Sequence, residues 1–393
     1  GLGQSPFPIP DCMVKELQAH AHEKDYLPVA GLRALRDTYA NFLAISYAVD
    51  RTGDSVLVGP GSKELLFIAQ LAFAAEILLP NPSWVTYEPQ AQIAQRQVKW
   101  LPTHASERWV LKPQVIEEHC RQNPNTPRLM IFNYPSNPTG CTHTRQELME
   151  IASVARKYGI IILSDEIYGL VSHQEEHSTM AEFYPEGTII SGGLSKAFGA
   201  GGWRVGLWSF PKELDWLQHA MTVIASETFT SVAAPLQYAA IRAYDPTCTE
   251  LNEYLLKSNK ACQRVGRWVA QALSDAGVQV KGPEGGFYLF PNFSFMREAL
   301  QQQGITTSPQ LCEKILIETG VAMLPGTDFG RPPEELYLRL AYVDFDGNTA
   351  LNLVNELALE EDFMRQACPK VATAIDKVCA WIMEQQLEVN QVK

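Results

Sequence analysis

The stretch "SGGLSKAFGAGGWRVG", residues 191–206, sets Lys196 and Arg204 among six glycines and two serines. Glycines at this density let the backbone come close to a bound group, and a lysine and an arginine eight residues apart suit an anion. Other chemically useful residues follow apolar runs. "RLMIFNYP" leads into "SNPTG" with Asn137, "GIIILSDE" ends at Asp165 with Tyr168 just beyond, and "EILLP" is followed by "NPSW" with Trp84. "SVLVG" turns through "PGSK" into a helical stretch, which places the amides of Ser62 and Lys63 at a helix N-terminus, where anions bind. Each residue also fits a plainer role: Asp165 a helix cap, Trp84 a core aromatic, Asn137 the start of a turn. Their convergence decides, because in open α/β sheets ligands gather beyond the carboxyl ends of the strands.

The runs "SVLVG", "EILLP", "QVKWLP", "RLMIFNYP", "GIIILSDE", "TIISGG" and "VGLWSFP" predict strands buried on both faces, hence a mostly parallel sheet between helices. The intervening "GSKELLFIAQLAFA" and "TRQELMEIASVARKYG" have helical period, the second closing on Gly159. From residue 249 the texture changes to a long amphipathic helix, a β-rich "LYLRLAYVD" and terminal helices. The expected class is α/β: a large domain over 13–248, and a smaller α+β domain from 1–12 with 249–393.

One lysine, one carboxylate, one aromatic plate, one amide and one anion cradle at a single sheet edge meet the needs of pyridoxal 5'-phosphate. Its aldehyde needs an amine, its pyridine nitrogen a carboxylate, its ring a stacking partner and its phosphate an arginine with helix-end amides. In order along nearly the whole chain, "YPSNPTG", "SDEIYG", "SGGLSKAFGAGGWRVG", "PEGGFYLF", "LPGTDFG" and "LRLAY" resemble the signatures of the fold-type I, class I/II aminotransferases. The resemblance implies that Lys196 bonds the cofactor aldehyde and later moves the substrate Cα proton. It implies that Asp165 partners the pyridine nitrogen, that Asn137 and Tyr168 donate to the ring oxygen, and that Trp84 stacks on the ring. Ser62, Lys63 (through backbone amides), Ser195 and Arg204 would hold the phosphate, joined by Tyr26 from the neighbouring subunit of a homodimer. Gly3, Asn137 and Arg339 would bind the substrate, Arg339 taking its α-carboxylate. The implied activity is amino transfer from an amino acid to a 2-oxo acid in two half-reactions.

The chain departs from the family pattern at Gly193, where many relatives have Ser or Thr. The same site also serves elimination lyases, such as amino-cyclopropane synthases and cystathionine lyases. A regulator using the fold as an effector module is disfavoured, since the chain opens almost directly on "GLGQSPFP" with no DNA-binding segment before it. The amino acid stays open: Phe7, Tyr26 and Trp84 would suit an apolar side chain, Lys63 a dicarboxylate. Among 393 residues the formal charge of -12 argues against nucleic acid or an anionic membrane as partner. Eight scattered cysteines without a CxxC pair fit reduced thiols in a cytoplasmic protein, and no histidine spacing suggests a metal. "GPGSK" lacks the spacing of a Walker loop. The start has no signal-peptide pattern, and the longest apolar stretch is broken by Gln70 and Glu76.

Overall fold

A computed structural model describes residues 3–174 and 176–392, with the side chains of 388–392 left aside. The seven apolar runs form strands β1 (Val56–Gly59), β2 (Glu76–Asn81), β3 (Val98–Pro102), β4 (Arg128–Asn133), β5 (Ile161–Asp165), β6 (Thr188–Gly193) and β7 (Gly206–Ser209). They make one sheet in the order β1-β7-β6-β5-β4-β2-β3. Strands β2 to β6 pair in parallel, while β7 runs antiparallel to both β6 and β1.

The strands are apolar throughout because both faces are covered. Along β4, Leu129 and Ile131 pack with Leu65, Leu217 and Met221, whereas Met130 and Phe132 pack with Ile116, Leu148 and Ile151. The covering helices come from α1 (Asp11–Ala19), α2 (Arg33–Tyr47), α3 (Ser62–Ala72), α4 (Tyr87–Ile93), α5 (Pro113–Gln122), α6 (Arg145–Lys157), α7 (Asp215–Ser226) and α8 (Ala234–Ala243). Helix α6 begins with a reciprocal capping box between Thr144 and Glu147, and the chain leaves it through Gly159 at φ 60°.

Beyond residue 249 the long amphipathic stretch is helix α9 (Thr249–Asp275), followed by α10 (Arg297–Gln302), α11 (Ser308–Thr319), α12 (Gly347–Leu353), α13 (Glu360–Ala367) and α14 (Pro369–Val392). A second, antiparallel sheet has the order β8-β10-β9, from β8 (Tyr288–Leu289), β9 (Leu324–Pro325) and β10 (Leu338–Ala341). Buried Arg264 of α9 donates to the carbonyls of Val354, Leu357 and Leu359 and pairs with Glu360, tying α9 to the chain between α12 and α13. Among the described residues no helix is long and apolar enough to cross a membrane.

Candidate active site

Strands β4, β5 and β6 are parallel, so the residues that follow them emerge at one edge: Asn137 after β4, Asp165 at the tip of β5, Ser195 and Lys196 after β6. Antiparallel β7 begins at that edge, which brings Arg204, two residues before it, to the same place. These residues line one cavity of about 920 Å³ together with Gly3, Ser62, Lys63, Trp84, Tyr168 and Arg339. The sequence expectation therefore gathers at one site, with Tyr26 and Phe7 outside its lining. Tyr26 is 92% exposed. Phe7 was expected to suit a substrate side chain; it is instead buried edge-on against Tyr254 and Phe345 as part of the core.

One end of the cavity joins the start of α3 to Arg204. Helix α3 opens on Gly61 at φ 88° with no side chain capping its first amides, those of Ser62 and Lys63. A Cβ on Gly61 would overlap the Arg204 guanidinium, and one on Gly206 would overlap the Ser62 amide, so the two backbones approach as only glycine allows. Arg204, itself in the left-handed region at φ 54°, is anchored by Nη1 donating to the Gly201 carbonyl at 2.9 Å. Gly193, the departure from the family pattern, has a packing cause: a Cβ there would lie 2.9 Å from the Val205 carbonyl oxygen and 3.3 Å from the Gly206 Cα.

At the centre, Asp165 is buried, and burial pushes its pKa up. Opposing hydrogen bonds stabilise the carboxylate: Tyr87 Oη donates to Oδ2 at 2.6 Å, and the Ile167 amide and Ser191 Oγ add smaller contributions, the latter 3.4 Å from Oδ1. Asn133 Nδ2 donates to the Asp165 carbonyl at 2.8 Å while its Oδ1 accepts from the Asn137 amide at 2.9 Å, locking the ends of β4 and β5 together. Trp84 meets the edge of Tyr87 at a centroid distance of 5.4 Å and 89°, and Lys63 Nζ lies 5.0 Å over the Trp84 ring.

Lys196 Nζ donates to the Gly3 carbonyl at 2.6 Å. Burial first, then the charges of Arg339, Arg204 and Lys63, lower its pKa to about 8 against the opposing pull of Asp165. Tyr168 Oη and Tyr288 Oη lie 2.9 Å apart, and burial raises the pKa of both phenols. Arg339 of β10 is only 4% exposed, with Nη1 donating to Asn137 Oδ1 at 3.1 Å and the guanidinium 4.7 Å from the Tyr288 ring. Sequence reasoning missed Tyr87, Tyr288 and Asn133. The first two are tyrosines in runs that read equally well as core, and Asn133 lies four residues before Asn137 as its only signal.

The fold is α/β, with basic side chains, a half-buried lysine and a buried carboxylate lining one cavity at the strand edge, and the relatives give its family. The sequence profile of the family "Aminotransferase class I and II" matches residues 1–355, and the chain belongs to that family. It is 30% identical over 351 residues to the aspartate aminotransferase of Pyrococcus horikoshii, covering 87% of this chain and 85% of that one. It is 29% identical over 355 residues to the asparagine–oxo-acid transaminase of Streptococcus mutans, with 87% and 86% covered. Among solved structures, the aromatic aminotransferase of Pyrococcus horikoshii superposes with a TM-score of 0.84 at 25% identity, covering 98% of this chain and 96% of that one. The aspartate aminotransferase of Thermus thermophilus with maleate gives 0.81 at 24%, covering 96% and 90%. The protein is an aminotransferase, which moves an amino group from an amino acid to a 2-oxo acid, and the cofactor of its family is pyridoxal 5'-phosphate.

Proposed function

We propose that this aminotransferase holds pyridoxal 5'-phosphate at the strand edge and works on acidic amino acids. The observation that carries the reading is the charge of the cavity: Lys63, Lys196, Arg204 and Arg339 surround one carboxylate, Asp165, in a chain of formal charge -12. Such a cavity selects ligands with several negative groups.

The residues fit the cofactor. The cradle of Arg204, Ser195 and the amides of Ser62 and Lys63 suits its phosphate, Trp84 offers a flat face to its ring, and Asn137 and Tyr168 supply donors for the ring oxygen. When bound, the cofactor supplies a protonated pyridine ring that draws electrons from the substrate Cα and keeps the amino group between two half-reactions. Three donors favour the charged form of Asp165 against its burial, and as a carboxylate it would hold a proton on the ring nitrogen. Lys196 Nζ, with its pKa brought down to about 8, is partly neutral near physiological pH and can take the Cα proton and return it. Arg339 takes the α-carboxylate through two parallel hydrogen bonds, which also fixes the direction of the Cα–H bond.

With Arg204 and Arg339 thus engaged, the Lys63 ammonium is the cation left for a second substrate carboxylate. Relatives named aspartate aminotransferase support that choice, and they favour transfer over elimination. The reading includes the division into a large domain over 13–248 and a small one from 1–12 and 249–393, supported by the separate second sheet. It also includes a homodimer in the cytoplasm, a reducing compartment that the eight free thiols suit.

Incubation with pyridoxal phosphate is expected to turn the protein yellow. Borohydride should bleach it and fix the pyridoxyl group on the peptide containing Lys196. A protein that stays colourless, or label on another lysine, contradicts the site. With aspartate and 2-oxoglutarate, Lys63→Gln should lower kcat/KM about tenfold or more (~1.4 kcal/mol) while changing turnover of phenylalanine far less. Equal losses for both amino acids would leave Lys63 without a role in side-chain recognition.

A further inference from the structure

We propose that Tyr87 is a positioning residue that holds Asp165 ionised and correctly turned toward the ring nitrogen of the cofactor. It acts from the first turn of α4, an element the roles assigned above do not use. The proposal rests on the pyridoxal phosphate reading of the site.

Three observations meet at this phenol. It is fully buried, yet its ring lines the cavity. Its hydroxyl donates to Asp165 Oδ2 at 2.6 Å, a distance typical of a charge-assisted O–H···O bond. Its ring edge meets Trp84 at 89°, so one side chain braces both the carboxylate and the aromatic plate. The direction of the hydrogen bond follows from the partners: an ionised carboxylate only accepts, and the Tyr87 phenol is held protonated by burial and by the Asp165 charge. Asp165 Oδ2 is thus engaged at short range by Tyr87, while the Ser191 contact to Oδ1 is longer, and the Ile167 amide also donates to the carboxylate.

The groups that act on Asp165 come from every side of it. Tyr87 belongs to α4, Ser191 to β6, Lys196 to the loop after β6, and the Ile167 amide and Tyr168 to the loop after β5. Burial pushes the Asp165 pKa up, and among the opposing influences the Tyr87 hydrogen bond is the largest. The sign follows. Removing the hydroxyl moves the pKa of Asp165 further up, so the carboxylate is lost at a higher pH on acidification. Loss of that charge removes the partner of the ring nitrogen, and the acid limb of cofactor retention shifts toward neutral.

Holoenzyme is compared as wild type, Y87F, D165N and the double variant. Each is equilibrated across pH, and the pyridoxal phosphate retained after desalting is measured alongside kcat and KM. Y87F keeps the ring against Trp84 and deletes only the donor. Its retention midpoint should rise by about one pH unit, as expected for losing one hydrogen bond to a charge. Its kcat should fall about tenfold, with KM for the amino acid changed less than about threefold. In the D165N background, adding Y87F should change neither midpoint nor kcat, since the residue acts through the carboxylate. A Y87F midpoint equal to wild type, or an undiminished Y87F effect on top of D165N, overturns the proposal. If D165N itself retains cofactor and turns over as wild type, the role of Asp165 fails and this inference fails with it. A silent Y87F beside a damaged D165N sinks the inference alone.

Discussion

Arg339 alternates with two core leucines on β10, Leu338 and Leu340, so the sheet turns its guanidinium away from them and into the cavity. There it lies over the Tyr288 and Phe329 rings and holds Asn137, an environment too dry for an idle cation. A lysine would keep the charge and lose the fork that matches a carboxylate. Arg339→Lys should therefore raise KM and lower kcat together, by roughly 2–5 kcal/mol in kcat/KM. Turnover of amines that lack the carboxylate should suffer far less. Steady-state kinetics with an amino acid and its decarboxylated analogue make the comparison, and a loss under about twofold for the amino acid would reduce Arg339 to a packing residue. At this scale the sequence was informative where a polar type follows or interrupts an apolar run, or stands among glycines. Lys196, Asp165, Asn137 and Arg339 are such residues, and all four line the cavity. Tyr87 and Tyr288 gave no such contrast, because a tyrosine after "SWVT" or within "GGFYLF" reads as core until a partner for its hydroxyl is seen. Phe7 erred in the opposite sense: an aromatic read as suiting a substrate is core, buried edge-on against Tyr254 and Phe345.

The elements that set these residues are short, and several depend on a glycine at the turn. Gly61 joins β1 to α3 in a conformation that costs an L-residue about 1–3 kcal/mol, and any Cβ there intrudes on Arg204. Gly61→Ala is expected to lower stability by about that amount. It should also weaken pyridoxal phosphate binding roughly tenfold, because the guanidinium must leave the end of α3. Fluorescence titration with the cofactor and a thermal melt measure the two effects. Gly282→Ala serves as the reference, since a Cβ there meets nothing within 4 Å. Cofactor affinity unchanged in Gly61→Ala would mean that the cradle lies elsewhere. The seven strands of the large sheet were legible because burial on both faces leaves uninterrupted apolar runs. The antiparallel sense of β7 was not, since a doubly covered strand looks the same in either direction. Nor were β8 and β9 legible as strands: each is two residues long, held by pairing to β10 rather than by a pattern of its own.

At the scale of the molecule, one expected site residue has no place within the chain. Tyr26 is 92% exposed and lies outside the cavity lining, while Val85, at the cavity, is 38% exposed. An aromatic left so bare, on a chain whose site otherwise gathers its expected residues, suits a second copy that buries it, and two-fold pairs are the commonest soluble assembly. Sedimentation should therefore give a homodimer at assay concentration. The stronger check is complementation. If Tyr26 reaches across to the partner's cradle, Tyr26→Ala and Lys196→Ala proteins are each deficient, since every site of either homodimer lacks one residue. Refolded together, the two chains form hybrids in which one site receives Lys196 from one subunit and Tyr26 from the other, and the second site lacks both. Random pairing makes half of the dimers hybrid, so about a quarter of wild-type activity should return on mixing. A fully active monomer, or a mixture no more active than its components, would place Tyr26 outside any shared site and leave the phosphate to Arg204, Ser195 and the α3 amides.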